Sequence, residues 1–329
     1  MVRLSPERLW QLNEEELEEV LDRDFLPSRR KEIHFYAPSF MYYKTDHFCS
    51  SPHDFPTISV TGRGCALKCK HCGGIVLNTM HEATTSEALF ETCATLKQRG
   101  AKGCLISGGC LPNGSVPIGD FIPTIAKIKK QLKLTVFVHT GIIDFDTARD
   151  LRKAGVDAAL IDVLGSDETI REIYNLRTTV KDYADSLRAL SEAGIPFVPH
   201  VIVGLHYGKL KGELNALRMI SGYVPSALVV IAFMPIRKTA MENVTPPKPQ
   251  DVARVVAAGR LMFPQIPVVL GCMRARDGFR SRTEILAIKA GADAIAFPTE
   301  EAVKFAESRG LKTSFSSYCC SQIYLDMRA

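Results

Sequence analysis

The sequence predicts an α/β fold built as a (β/α)8 barrel, and two observations carry that expectation. From residue 57 onward, short β-branched runs alternate with longer amphipathic stretches, and eight such pairs can be counted. That beat is the pattern of parallel strands joined by covering helices. Glycine also recurs where each helix should stop and the chain turn into the next strand, as in Arg99-Gly100-Ala101, Ala154-Gly155-Val156, Ala193-Gly194-Ile195 and Ala290-Gly291-Ala292. Eight units favour a closed barrel.

Residues 1–56 read as an N-terminal cap, with an acidic helix near Glu14–Asp24, the basic run Arg29-Arg30-Lys31 and an aromatic patch from Phe35-Tyr36 to Tyr43. The charge pattern reads as a solvated helix. The aromatic patch should pack on the barrel or frame its mouth, since Cys49 follows closely. Residues 57–310 make the barrel. Its strands are expected at Thr57–Thr61, Cys104–Ser107, Thr135–His139, Ala158–Val163, Phe197–Val203, Leu228–Phe233, Val268–Gly271 and Ala294–Phe297, with helices such as Ser86–Gln98, Ile118–Gln131, Val180–Ala193, Pro249–Leu261 and Ser281–Ala290 between them. Residues 311–329 form a cysteine-bearing tail. A helix after the eighth strand returns the chain to the bottom of the barrel, and eight extended residues from Lys312 to Cys319 reach roughly 26 Å, about enough to climb back. In an extended tail Cys319 and Cys320 face opposite sides, so one of the two faces a given site.

With 329 residues, 46% of them hydrophobic, the chain can bury a sizeable core. The longest apolar stretch, Ala227 to Pro235, falls far short of the ~20 residues that span a bilayer, and the charged N-terminus has no signal-peptide pattern. The expectation is a cytoplasmic protein with no membrane partner. Ten cysteines without the spacing of a disulfide framework suit a reducing compartment. A net charge of +5, with no Lys/Arg block interleaved with aromatics, does not indicate nucleic acid.

The chemistry is concentrated in Cys65-Ala66-Leu67-Lys68-Cys69-Lys70-His71-Cys72. Three cysteines spaced C-x3-C-x2-C can grip three irons of a [4Fe–4S] cube and leave the fourth open to a small molecule. Structural zinc sites usually present two separated ligand pairs, and no second C-x2-C or H-x3-H pair exists here. Gly62-Arg63-Gly64 just upstream lets the loop leave a strand sharply.

This motif, with His71 before its last cysteine, resembles that of the radical S-adenosylmethionine (SAM) enzymes. The resemblance implies a radical SAM (β/α)8 TIM-type barrel, a [4Fe–4S] cluster on Cys65, Cys69 and Cys72, SAM chelated to the open iron, a reductant such as ferredoxin, and cleavage to a 5′-deoxyadenosyl radical. Further matches follow in barrel order. Ser107-Gly108-Gly109 resembles the segment that receives the SAM amino group, although Cys110 stands where many relatives have Glu. Asp162 and Arg177 are similar to the ribose and carboxylate contacts of the biotin synthase branch, a planar bidentate donor suiting the latter; a surface salt bridge is the plainer role for Arg177. Val203 and Met234 fall on segments similar to the adenine contact and the loop after the sixth strand. In the same branch an auxiliary cluster is held by three Cys and one Arg; Cys104 and Arg274 fall near the first and last of those places, but His139 and His200 stand near the others, which disfavours biotin synthase itself.

Ser316-Ser317-Tyr318-Cys319-Cys320 resembles the S-S-Y element of lipoyl synthases, and the chain is most similar to a subunit of the archaeal-type split lipoyl synthases. That implies an auxiliary [4Fe–4S] cluster on Cys49, Cys319 and Cys320, completed by Cys272, Ser317 or a second radical SAM subunit. It also implies sulfur insertion into an octanoylated carrier protein or peptide. No general acid or base is required, so His139, His200 and His206 read as lining. The alternatives are a radical isomerase or carbon-skeleton enzyme of the biotin synthase/methylornithine synthase type, and a non-catalytic iron–sulfur partner protein.

Overall fold

The structure is a computed structural model that describes residues 4–23, 31–276 and 278–327. Asp24, Arg29 and Arg30 of the expected cap lie outside the described residues. Two helices, α1 (Pro6–Gln11) and α2 (Glu14–Asp22), precede strand β1 (Glu32–Tyr36). Eight βα units then follow: β2 (Thr57–Ser59), the short β3 (His81–Glu82) and α3 (Ser86–Gln98); β4 (Gly103–Ser107) and α4 (Ile122–Leu132); β5 (Thr135–His139) and α5 (Phe145–Lys153); β6 (Ala158–Asp162) with α6 (Asp167–Tyr174) and α7 (Val180–Glu192). The second half runs β7 (Phe197–Val203), α8 (Glu213–Ser221), β8 (Leu228–Ala232), α9 (Pro249–Met262), β9 (Val268–Leu270), α10 (Arg280–Lys289), β10 (Ala294–Ala296) and α11 (Glu300–Ser308). Strand β11 (Lys312–Ser316) and the short α12 (Ile323–Asp326) close the chain. All eight expected strands are present in the expected order.

The strands form one parallel sheet in the order β11-β1-β10-β9-β8-β7-β6-β5-β4-β2-β3, curled into a partial barrel. The expectation of a closed ring is corrected here. β2 and β10 do not pair with each other, because the free edge of β2 is taken by β3 and that of β10 by β1, which carries β11 in turn. Both flanking segments therefore add a strand to the sheet. Neither has a covering helix of its own next to it in the βα rhythm, which is why counting units passes over them.

The pleat sorts the core into two layers. On β5, Val136 and Val138 face the helices while Phe137 faces inward. The inner layer, with Phe137, Leu160, Val198, Val229, Val269 and Ala294, also contains Cys320, Ile323 and Tyr324. The tail thus packs on the inner face of the sheet. Tyr324 Oη donates to the Asp157 carbonyl just before β6 begins (2.5 Å), and Tyr36 Oη donates to Asp326 (2.6 Å). Helix α2, capped by Asn13 in a reciprocal bond with Glu16, is less free than its charge pattern suggests. Its acids meet the bases of the outer helices, Glu14 with Lys248 and Glu18 with Arg282.

Candidate active site

The cysteine loop leaves the C-terminal end of β2 and is clamped from two sides. On one side Thr61 Oγ1 accepts the Gly109 N–H (2.7 Å) and donates to the Gly64 carbonyl (2.8 Å), while the Ala66 N–H reaches the Cys110 carbonyl (2.9 Å). A Cβ at Gly109 would stand 2.0 Å from Gly64 O and 2.6 Å from Cys65 Cβ, so only glycine admits this approach. On the other side lies the end of α6. The Lys70 N–H donates to the Ile173 carbonyl (2.8 Å), the Asn175 amide to the Leu67 and Lys68 carbonyls (3.3 Å each), and the Cys69 thiol points at the Tyr174 carbonyl (3.6 Å).

This clamp gathers thiols. Donor atoms of Cys69, His71 and Cys72 lie within 4.8 Å of one another. Cys65 is close enough to influence both Cys69 and Cys110. A hydrogen bond from Cys69, aided by His71, holds the Cys72 thiol well below the ordinary thiol range against the opposing effect of burial. The same bond and burial push Cys69 up. Burial pushes Cys110 up to about 12. His71 Nδ1 is sealed from solvent and has no hydrogen-bond partner among the described residues. Three convergent thiols, one biased toward thiolate, beside a glycine-made clearance fit an iron–sulfur ligand set.

The other expected contacts surround this mouth. Ser107 and Gly108 end β4, Val203 is buried at the end of β7, and Met234 follows β8, half-buried. Arg177 is exposed and makes no ion pair among the described residues. Asp162 lies 3.5 Å from His139 Nε2. Its charge outweighs burial and raises His139, and His139 in turn lowers Asp162 against burial; burial pushes His200 down to about 4.

Of the auxiliary thiols, Cys319 and Cys320 come together at the inner face. The Cys319 thiol is lowered by its hydrogen bond with Cys320, and it sits near both His139 and Cys272. The chain leaves the strand at Ser316 and Cys320 opens a 3-10 turn, so strict alternation does not separate the two thiols. Cys49 is exposed, its thiol near the Ser50 carbonyl, and it does not join Cys319 and Cys320 in a tight ligand group among the described residues. Cys104 faces the helix layer, hydrogen-bonded to the Cys93 thiol, because strand parity turns Leu105 inward instead. Arg274 is locked in a buried pair with Glu284 (2.5 Å) and donates to the Gly271, Ala296 and Phe297 carbonyls, tying strand ends together. Cys272, expected as one possible completing ligand, is the thiol that lies near Cys319.

This arrangement places a candidate iron–sulfur ligand set at the strand C-termini of a parallel half-barrel. Residues 59–210 match the family model for the radical SAM superfamily. The chain is 27% identical over 248 residues to a biotin synthase of Prochlorococcus marinus, covering 73% of each chain, and 27% identical over 220 residues to a biotin synthase of Leptospira biflexa, covering 64% of this chain and 60% of that one. Its fold is shared with methylornithine synthase (PylB), at a TM-score of 0.60 and 18% identity over 95% and 94% of the two chains. It is shared also with the [FeFe]-hydrogenase maturase HydG, at 0.66 and 17% over 100% and 75%.

Proposed function

We propose that this protein is a radical SAM enzyme of the biotin synthase/methylornithine synthase type, which opens an unactivated substrate carbon to rearrangement inside the half-barrel. One observation carries the reading: a three-thiol loop stands at one end of a bore whose other end is filled by the chain's own tail. Cys65, Cys69 and Cys72 hold the [4Fe–4S] cluster in this proposal. Ser107, Gly108 and Gly109 receive the SAM amino group, Arg177 its carboxylate, and Val203 and Met234 line the adenosine. Asp162 is left out of that set because its carboxylate is turned to His139. A cluster held there with SAM, reduced by a partner such as ferredoxin, would supply 5′-deoxyadenosyl radical chemistry. The chain's own work is positioning and exclusion: its inner face must hold one C–H bond at contact distance and keep water out.

Sulfur insertion, as in a lipoyl synthase component acting on an octanoylated carrier, is a second reading. The meeting of Cys319 and Cys320 near Cys272 on the inner face favours it, since these thiols offer soft ligands for an auxiliary cluster. A second radical SAM subunit would then supply what Cys49 does not. Iron and sulfide per chain after anaerobic reconstitution separate the two, with the wild type compared to Cys65→Ala/Cys69→Ala/Cys72→Ala. About four irons falling to none supports the rearrangement reading; about eight falling to about four supports sulfur insertion.

A further inference from the structure

Strands β5, β6 and β7 lie side by side, and their register sets three metal-ligating side chains on one face. Asp162 stands directly opposite His200, and His139 is opposite Leu160, one pleat period before Asp162. Since alternate residues share a face, His139, Asp162 and His200 form a polar layer directly above the apolar layer of Phe137, Leu160 and Val198. β5 and β7 are two strand spacings apart, about 9.6 Å. Yet the rings of His139 and His200 approach to 5.9 Å between centroids.

One donor atom from each of the three residues lies within 4.8 Å of the others. Their polar capacity is poorly used. The Asp162–His139 contact of 3.5 Å is longer than an ordinary hydrogen bond, and His200 Nδ1 is sealed from solvent with no partner among the described residues. A carboxylate and two imidazoles left in this condition carry a desolvation cost that a shared cation removes.

We propose that His139, Asp162 and His200 together bind one divalent transition-metal ion of the zinc or ferrous class on the inner face of the sheet. Two imidazoles exclude the oxygen-only preference of calcium and magnesium, and imidazole with carboxylate suits zinc and ferrous iron. Bonds of 2.0–2.2 Å need donors about 3.4 Å apart, a contraction that side-chain rotation supplies. Three protein ligands leave at least one coordination position for water or substrate, the condition of a working rather than a purely structural site. The proposal does not depend on which reaction the radical performs.

Co2+ is the probe, added to the full-length Cys65→Ser/Cys69→Ser/Cys72→Ser chain so that the cluster thiols do not compete. The expected result is one tightly bound Co2+ per chain with visible d–d absorption and a rise in melting temperature. Adding His139→Ala and His200→Ala should weaken binding at least tenfold and abolish the thermal shift, with melting in the absence of cobalt little changed. Should that variant fail to fold, His200→Gln or Asp162→Asn alone should weaken binding about tenfold. Absence of bound Co2+ in the parent chain overturns the proposal, as does equal binding in the folded histidine or aspartate variants. In wild type reconstituted with iron and sulfide and then given Co2+, mass spectrometry should find one further metal ion per chain, iron or cobalt, beyond the about four irons of the loop cluster; none sinks it equally.

Discussion

At Gly109 the exit of one strand passes the loop of another with no room for a side chain, and Thr61 fixes both by bonding Gly109 and Gly64 at once. Gly109→Ala must push the Cys65 backbone outward, an overpacking that costs about 1–3 kcal/mol where the backbone can yield. The expected outcome is a folded chain that retains less than half its reconstituted iron and makes no 5′-deoxyadenosine. Gly108→Ala, whose new atom has Thr61 as its nearest neighbour at 3.1 Å, should keep most of its iron. Full iron in Gly109→Ala would mean the loop is not held by this contact. The three cluster cysteines were legible because their spacing is local and the chemistry demands it. The orientation of Cys104 was not, because which residues face the bore depends on register: pairing of Thr57 with Leu105 turns Cys104 outward, a fact no single strand's sequence contains. Arg274 looked like a cluster ligand for the same reason, and it is instead the buried partner of Glu284.

Among the elements, helix α8 begins with an unusual device. Gly212 precedes it at φ +102° without a side-chain cap, and the buried Glu213 folds back to accept the Gly204 N–H (2.9 Å) and the Lys211 N–H (2.6 Å). The carboxylate so joins the exit of β7 to the start of α8. Burial outweighs those bonds and pushes Glu213 up to about 7. An acid held above its unfolded value near 4.5 binds its proton more tightly in the fold. Its contribution is therefore complete below pH 4.5 and lost as pH rises through 7. The loss is on the order of 3 kcal/mol. Urea unfolding from pH 5 to pH 8 should show a steeper decline in the wild type than in Glu213→Gln, which cannot ionise; parallel profiles would remove this role. Most element boundaries were legible to within a residue or two, as with Ser86–Gln98 and Thr135–His139, since amphipathic period and glycine exits mark them. β1 and β11 were missed because each is one short strand whose pairing comes from sequence-distant residues, Glu32 with Lys312 and His34 with Ala294.

For the molecule as a whole, the open sheet leaves the inner face in need of a plug, and the tail supplies it. Ile323 is fully buried, Tyr324 bonds the Asp157 carbonyl at the strand N-termini, away from the cysteine loop, and Asp326 takes the Tyr36 hydroxyl. Burying Ile323 and Tyr324 contributes about 1.5–3 kcal/mol each. A chain ending at Ser316 keeps β11 and the cluster loop, and it should still take up about four irons on Cys65, Cys69 and Cys72. Its inner face, however, is open to water. The expected outcome is a melting temperature several degrees lower and SAM cleavage that runs several-fold ahead of substrate consumption, because a radical generated beside an unsealed cavity is quenched before it reaches its C–H bond. Ile323→Asp tests the same point without shortening the chain and should shift coupling in the same direction. Unchanged melting and tight coupling in both would make the tail a passenger and transfer the sealing of the bore to the substrate itself.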